Sequence, residues 1–487
     1  MVASLRQSAD VAAMARATVS LEERRDRILT EPVTRVLFAL SWPMTLGLFS
    51  VIAINVTDTF YIGRLGAEEL AAIGFCFPVI FGMSAIAIGM GNGGAAVVSR
   101  AIGAGRQDQA RYLIASTMIF VGIFAAILGV IMLQVSDSVF LALGARPDLL
   151  PLINAFMTIW YIGLPTLVLP IVLNGLIRAS GEAMVPSVLM VVAAIINAAV
   201  SPLLIFGLLG FPELGMKGAA LATILARAII SILAVGWLLR EKLIAFEAET
   251  LRSFLPCIHQ VMRYGAPAFL AQLVSPIGSA VATRLLADAG PSVVAGFAVG
   301  ARVEALALIP FFALQTGITP FIGQNVGARR DERLAKAERN VWGFSILWGV
   351  IGALILWSFG ESLGFLFTDD PAIAASTDAY LEAIAFGLWA AGLLYVSIGI
   401  FNPLGYPNLA LAMNALRFVG LYAGLSLVAV NGFGAAADQA VFTSAWVSLV
   451  LTGLVSAVLI HFLLRRPNRA DLPSARPAPE SVAASNR

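Results

Sequence analysis

Residues 118–133 form an unbroken stretch with no charged, hydroxyl or amide side chain, and residues 449–464 are nearly as apolar. A helix crossing a hydrocarbon core of about 30 Å needs about 20 such residues. A soluble helix would need a polar face that these stretches lack. Strands of a membrane β-barrel alternate apolar and polar over about 10 residues, and these runs do not. Over the whole chain 59% of residues are hydrophobic and 12% charged, against about 25% charged in a typical soluble domain. The composition excludes a disordered chain, a nucleic-acid binder and a set of soluble domains. It leaves a polytopic all-α membrane protein embedded in a lipid bilayer.

The runs predict twelve transmembrane helices, at 34–62, 69–97, 112–134, 152–177, 186–209, 217–239, 262–287, 292–322, 339–359, 377–400, 408–430 and 440–464. If both termini lie on one side, that side carries 24 of the 31 Lys and Arg residues, the other side three, and the rest fall within spans. The positive-inside rule makes the rich side cytoplasmic. The expected location is a bacterial-type inner membrane with both termini inside. The first 30 residues are polar with no signal-peptide core, so no cleavage is expected. The expected organisation is a cytoplasmic tail (1–31), an N-lobe (32–245), a cytoplasmic linker (246–260), a C-lobe (261–465) and a disordered cytoplasmic tail (466–487).

The halves repeat at an offset of 224: Pro43 with Pro267, Thr59 with Thr283, Gly66 with Gly290, Gly181 with Gly405. The fullest match is a loop motif, Ile102-Gly-Ala-Gly-Arg-Gln-Asp against Val326-Gly-Ala-Arg-Arg-Asp-Glu. Six helices per repeat give both halves the same orientation, a parallel repeat about an axis along the membrane normal. Transporters built this way bind substrate between halves and rock them for alternating access.

Soluble catalytic motifs are missing from the sequence. It contains no GxxxxGK[ST] phosphate loop, no HExxH and no CxxC. Two cysteines, Cys76 and Cys257, imply no disulfide framework. Two histidines, His259 and His461, are read at helix edges. Gly89-Met-Gly-Asn-Gly-Gly lies within an apolar run, where close helix packing explains it better than a dinucleotide loop. No cofactor or metal is expected.

Ionisable groups within spans are the sharper signal, because a charge in hydrocarbon is costly. Asp58 on the first span is either a group wetted at a helix end or an inward carboxylate that loads a cation. Its partner at the repeat offset is Ala282, so the acid serves no need common to both halves. Arg302 and Glu304 on the eighth span point apart on a helix, and Arg417 on the eleventh is the candidate partner of Glu304. A structural ion-pair network is the plain reading of these three. Arg227, one turn from Thr223, reads as structural or cavity-lining. Pro43 and Pro267 each remove a backbone hydrogen bond, and Pro43 is a candidate helix hinge.

Several segments together resemble one family. Asn55-Val-Thr-Asp-Thr-Phe-Tyr-Ile-Gly-Arg-Leu-Gly with Glu69-Leu-Ala-Ala-Ile-Gly is similar to the first-helix signature of the multidrug and toxic compound extrusion (MATE) family. Leu176-Ile-Arg-Ala-Ser-Gly-Glu, Gly215-Met-Lys-Gly-Ala-Ala-Leu-Ala-Thr and Gly300-Ala-Arg-Val-Glu-Ala-Leu also resemble it, over roughly residues 32–465. The resemblance implies twelve helices in two lobes and efflux of organic cations or amphipathic compounds in exchange for H⁺ or Na⁺. It implies a coupling site of Asp58, Asn197 and Thr223, with Ser201 where the family usually has a second Asp. Ser275 and Leu393 stand where some members carry C-lobe acids, which places the chain nearer the DinF-like branch than the NorM-like one. One carboxylate with Asn, Ser and Thr suits H⁺ better than a bare Na⁺.

The expected function is therefore a proton-coupled multidrug antiporter of small molecules, acting as a monomer and not as an enzyme. A lipid-linked oligosaccharide flippase of the same superfamily is the alternative, if Arg227, Arg302 and Arg417 line one cavity. A membrane-embedded enzyme is a remote third, because no nucleophile or metal set appears within the spans.

Overall fold

The computed structural model describes residues 20–244 and 246–465, and among these residues the only regular structure is helical. Ten helices among the described residues are long and apolar enough to cross a membrane unbroken. They are the first span (Val33–Gly63), second (Ala67–Gly103), third (Gln107–Ala142), fifth (Met184–Phe206), sixth (Met216–Arg240), seventh (Phe254–Ala287), eighth (Pro291–Gly327), ninth (Asp331–Phe365), eleventh (Pro407–Phe433) and twelfth (Ala437–Leu464). Two bent pairs supply the fourth span (Pro147–Ile162 with Leu164–Ala179) and the tenth (Pro371–Ala385 with Leu388–Leu404), which makes twelve.

The bends were not legible as breaks in hydropathy. The fourth span turns by 56° at Gly163 and the tenth by 62° at Gly387. These glycines stand 224 positions apart, so both halves bend at the same place in the repeat. Each break lies against a neighbouring helix. A side chain at Gly163 would lie 2.2 Å from Ile224, and one at Gly387 would lie 3.1 Å from Leu449.

The same offset governs how the halves meet. Gly93 on the second span touches the seventh, where an added Cβ would lie 2.5 Å from the Gly265 nitrogen. Gly317 on the eighth span touches the first, where a Cβ would lie 3.0 Å from the Ser41 nitrogen. Gly93 and Gly317, and likewise Ser41 and Gly265, are 224 apart, so the contact occurs twice with the halves exchanged. Small residues let the helix backbones approach, which is the main source of affinity between helices in lipid. The Gly89–Gly94 motif is thus packing, as expected: Gly89 abuts Phe269 and Gly94 abuts Leu176.

Buried apolar side chains follow this arrangement. One cluster runs through the first six spans and takes in Val261 and Tyr264 of the seventh. Another lies wholly within 282–449. A third joins Val33, Val36, Leu37 and Leu40 of the first span to Leu314, Phe321 and Leu394 of the second half. Large apolar groups elsewhere point outward, among them Val130 and Leu347 at 61% exposure, as a lipid-facing surface requires.

Two expected boundaries differ. The segment 246–260 is read from sequence as a linker, yet it contains a short helix (Ala248–Arg252) and the seventh span already begins at Phe254. Residues 21–30, placed in a tail, form a helix (Leu21–Thr30) with a capping box in which Ser20 and Glu23 satisfy each other's backbone N–H. Arg24 of this helix pairs with Glu241 at the end of the sixth span at 2.7 Å, both nearly buried. Arg333 donates to the Ile28 and Glu31 carbonyls at 2.9 and 2.6 Å from the ninth span. The helix therefore touches both halves. The expected disordered tail at 466–487 lies outside the described residues.

Candidate coupling site

Asp58 sits five residues before the end of the first span, partly buried. The fifth span presents Asn197 and Ser201, one turn apart on one face, and the sixth presents Thr223. The three helices bring these groups together. Thr223 Oγ1 is 3.4 Å from Asp58 Oδ2 and can donate to it, while Asn197 Nδ2 donates to Thr223 Oγ1 at 3.2 Å. Thr223 Oγ1 is also 3.3 Å from the Ala219 carbonyl, so its single proton has two acceptors to choose between. Ser201 is fully buried on the same helix face as Asn197.

The remaining polar atoms are informative. Asp58 Oδ1, Asn197 Oδ1 and Ser201 Oγ are buried with no hydrogen-bond partner among the described residues. An unsatisfied buried polar atom costs about 1–3 kcal/mol. Asp58 Oδ1 and Asn197 Oδ1 are acceptors, the kind of atom that takes up a proton or a donor. Arg227, one turn beyond Thr223, is a positive charge close enough to interact electrostatically with Asp58. The sequence reading left Arg227 as structural or cavity-lining; it belongs with this cluster. The one-turn spacing from Thr223 was the signal that could have placed it there.

Pro43 lies buried in the first span, and the helix continues through it unbroken. The C-lobe charges separate. Arg302 is exposed, whereas Glu304 and Arg417 are buried together with Arg417 Nη2 4.0 Å from Glu304 Oε1. That pairing was expected. Its tyrosines were not: Tyr380 donates to Glu304 Oε2 at 2.5 Å, and Arg417 donates to the Tyr395 hydroxyl. Arg417 also stacks on Phe418 at 4.3 Å, within a π-helical stretch (Leu416–Ala423) of the eleventh span. Such stretches are frequent at functional sites. Ser275 is half-buried and Leu393 buried. Of the three arginines in the flippase reading, Arg417 pairs with Glu304, Arg227 interacts electrostatically with Asp58, and Arg302 is exposed. His461 lies in the last turn of the twelfth span, at the helix edge as read, where its Nδ1 meets Glu338 Oε1 at 3.1 Å, whereas His259 lies inside the seventh span.

The MatE family model matches twice, over residues 43–203 and 267–428, starting points that differ by the repeat offset. The chain belongs to the MATE family. This MATE chain is 31% identical over 447 residues to the FAD transporter of Shewanella oneidensis, covering 91% of this chain and 96% of that one. It is 26% identical to the probable multidrug resistance protein NorM of Thermotoga maritima, over 66% of this chain and 69% of that one. It is 23% identical to the multidrug export protein MepA of Staphylococcus aureus, over 89% and 94%. Among solved structures, the Vibrio cholerae MATE transporter VcmN in the bent form is similar at 27% identity with a TM-score of 0.84, covering 89% and 97% of the two chains. The outward-facing conformation of a multidrug resistance MATE family transporter of the MOP superfamily gives 0.83 at 24% identity, covering 90% and 98%. This MATE protein is a multi-pass membrane transporter and not an enzyme.

Proposed function

We propose that the protein is a secondary antiporter that exports cationic or amphipathic small molecules in exchange for protons, with Asp58 as the proton-binding group. The observation that carries this reading is the Asp58 cluster: one carboxylate with an unpaired Oδ1, held by neutral donors on two other helices. Thr223 donates to the charged form. Asn197 Oδ1 and Ser201 Oγ on the fifth span are unpaired and add acceptors to this region without adding charge. A bare Na⁺ wants several hard oxygen ligands, and a single carboxylate among neutral groups serves it less well. Pro43, on the same helix, is the point where that helix bends between states. The arginine bias places both termini in the cytoplasm of a bacterial-type inner membrane, and the unit is a monomer. The lobes are the first six spans, from Val33 to Arg240, and the last six, from Phe254 to Leu464.

One membrane crossing of a unit charge at 100 mV is worth about 2.3 kcal/mol, so a single proton can drive useful accumulation. The deciding experiment follows a fluorescent organic cation in everted vesicles under separately imposed H⁺ and Na⁺ gradients. Uptake driven by H⁺ alone supports the reading, and uptake only with Na⁺ sinks it.

A second cargo is favoured by one specific likeness. The relative matched over 96% of its length is named an FAD transporter. FAD carries two phosphates, and a transporter of it needs buried cationic partners such as Arg417. Competition of FAD against the fluorescent cation in the same vesicles separates the two cargoes.

A further inference from the structure

Where the halves close on each other they leave a half-open pocket of about 360 Å³ on the arginine-rich face. Three segments form its walls: the Leu21–Thr30 helix, the loop after the second span at Gly103 and Ala104, and the loop after the eighth at Gly327–Arg330. These two loops are the repeat motif itself. They meet at closest approach, since a Cβ on Gly103 would fall 2.1 Å from the Gln324 carbonyl and one on Gly327 2.2 Å from the Arg100 carbonyl.

The lining is strongly cationic. Arg25, Arg329 and Arg330 face one carboxylate, Asp26, which lies 3.7 Å from Arg25. Arg25 is already engaged, donating to the Gly103 carbonyl at 3.0 Å through Nη2. The side chains of Arg329 and Arg330 are exposed and make no hydrogen bond or ion pair among the described residues. Arg329 adopts a left-handed backbone (φ 56°), a conformation unfavourable for a side-chain-bearing residue. At the corresponding place in the first repeat stands Gly105, with φ 75° and no strain. The second loop thus carries a guanidinium where its counterpart carries a glycine that suits the turn.

We propose that this cavity binds a phosphate group, that of an anionic phospholipid headgroup, between Arg329 and Arg330 of one half and the Arg25 helix. Basic pockets between helices on the positive side of a membrane protein commonly take such headgroups. Guanidinium forks match phosphate oxygens, and the cavity sits at span ends, where headgroups lie. Its walls belong to the helix and to both halves. The site therefore exists only while the halves are together on this face, and its ligand stabilises that conformation. The consequence for transport rests on the alternating-access reading above; the binding itself does not.

The test uses the purified full chain in neutral detergent, titrated with short-chain phosphatidylglycerol, with short-chain phosphatidylcholine and with inorganic phosphate, and read by thermophoresis. Phosphatidylglycerol should bind the wild type roughly tenfold or more tighter than phosphatidylcholine does, and Arg329→Gln/Arg330→Gln should lose that margin. Arg329→Lys/Arg330→Lys should keep most of it, which separates charge from folding. If inorganic phosphate binds as well as the lipid, the same site stands with free phosphate as its source. Equal phosphatidylglycerol affinity in wild type and the glutamine pair, or no binding of either anion, overturns the site. No transport is measured, so failure here leaves the proton reading intact.

Discussion

Thr223 Oγ1 lies 3.4 Å from Asp58 Oδ2 although 165 residues separate them, and that contact ties the sixth span to the first. Asp58→Asn preserves shape and a neutral amide while removing the exchangeable proton. The variant should fold and bind cargo like the wild type, and gradient-driven efflux in everted vesicles should fall to the level of vesicles without transporter. Wild-type efflux from Asp58→Asn would remove Asp58 from coupling and make Glu304 the next acid to examine.

Glu304 and Arg417 form a buried pair, so removing one partner strands the other. Breaking such a pair costs about 3–5 kcal/mol, whereas replacing both with apolar groups is often neutral. Glu304→Gln should lower the detergent unfolding temperature clearly, and Glu304→Leu/Arg417→Met should recover most of the loss. If the double variant is no better than the single, the pair is not what holds this part of the C-lobe.

The Arg24–Glu241 pair is as buried, with 6% and 8% of the side chains exposed. It fastens the Leu21–Thr30 helix to the end of the sixth span. Glu241→Gln should make that helix a target for limited proteolysis in the native protein, with cleavage near Arg27 rising relative to wild type. An unchanged digestion pattern would mean that Arg333 and the apolar contacts of Ile28 hold the helix unaided.

Gly103 leaves no room for a side chain against the Gln324 backbone. Gly103→Val should hold the halves apart on this face. A cysteine at Ser99, which is fully buried, then reports the change once Cys76 and Cys257 are replaced by Ala. Its labelling by a hydrophilic thiol reagent should speed up on adding Gly103→Val, and an unchanged rate would show that the closure tolerates the bulk.

Orientation has its own check. A reporter active only in the periplasm, fused after Arg465, should be silent, and strong activity would invert the topology drawn from the arginine bias.

The sequence alone determined the number of spans, because hydrocarbon accepts only backbone that satisfies its own hydrogen bonds, and a long apolar run has no other stable form. It also determined the repeat, since positions such as Pro43 and Pro267 or Gly181 and Gly405 keep their identity wherever both halves need the same backbone. Asp58 was legible because an acid in an apolar helix stands out, and the family resemblance added Asn197 and Thr223 to its site. Tertiary structure decided the rest. In a helix that is apolar all round, hydropathy does not say which face packs against what. At the breaks, Gly163 and Gly387 leave room for Ile224 and Leu449, side chains from helices distant in sequence. The approach of Arg227 to Asp58, the tyrosines around Glu304 and Arg417, and the docking of the Leu21–Thr30 helix across both halves arise in the same way. Each joins groups whose local sequence looks complete without the other, so only the packed helices bring them into contact.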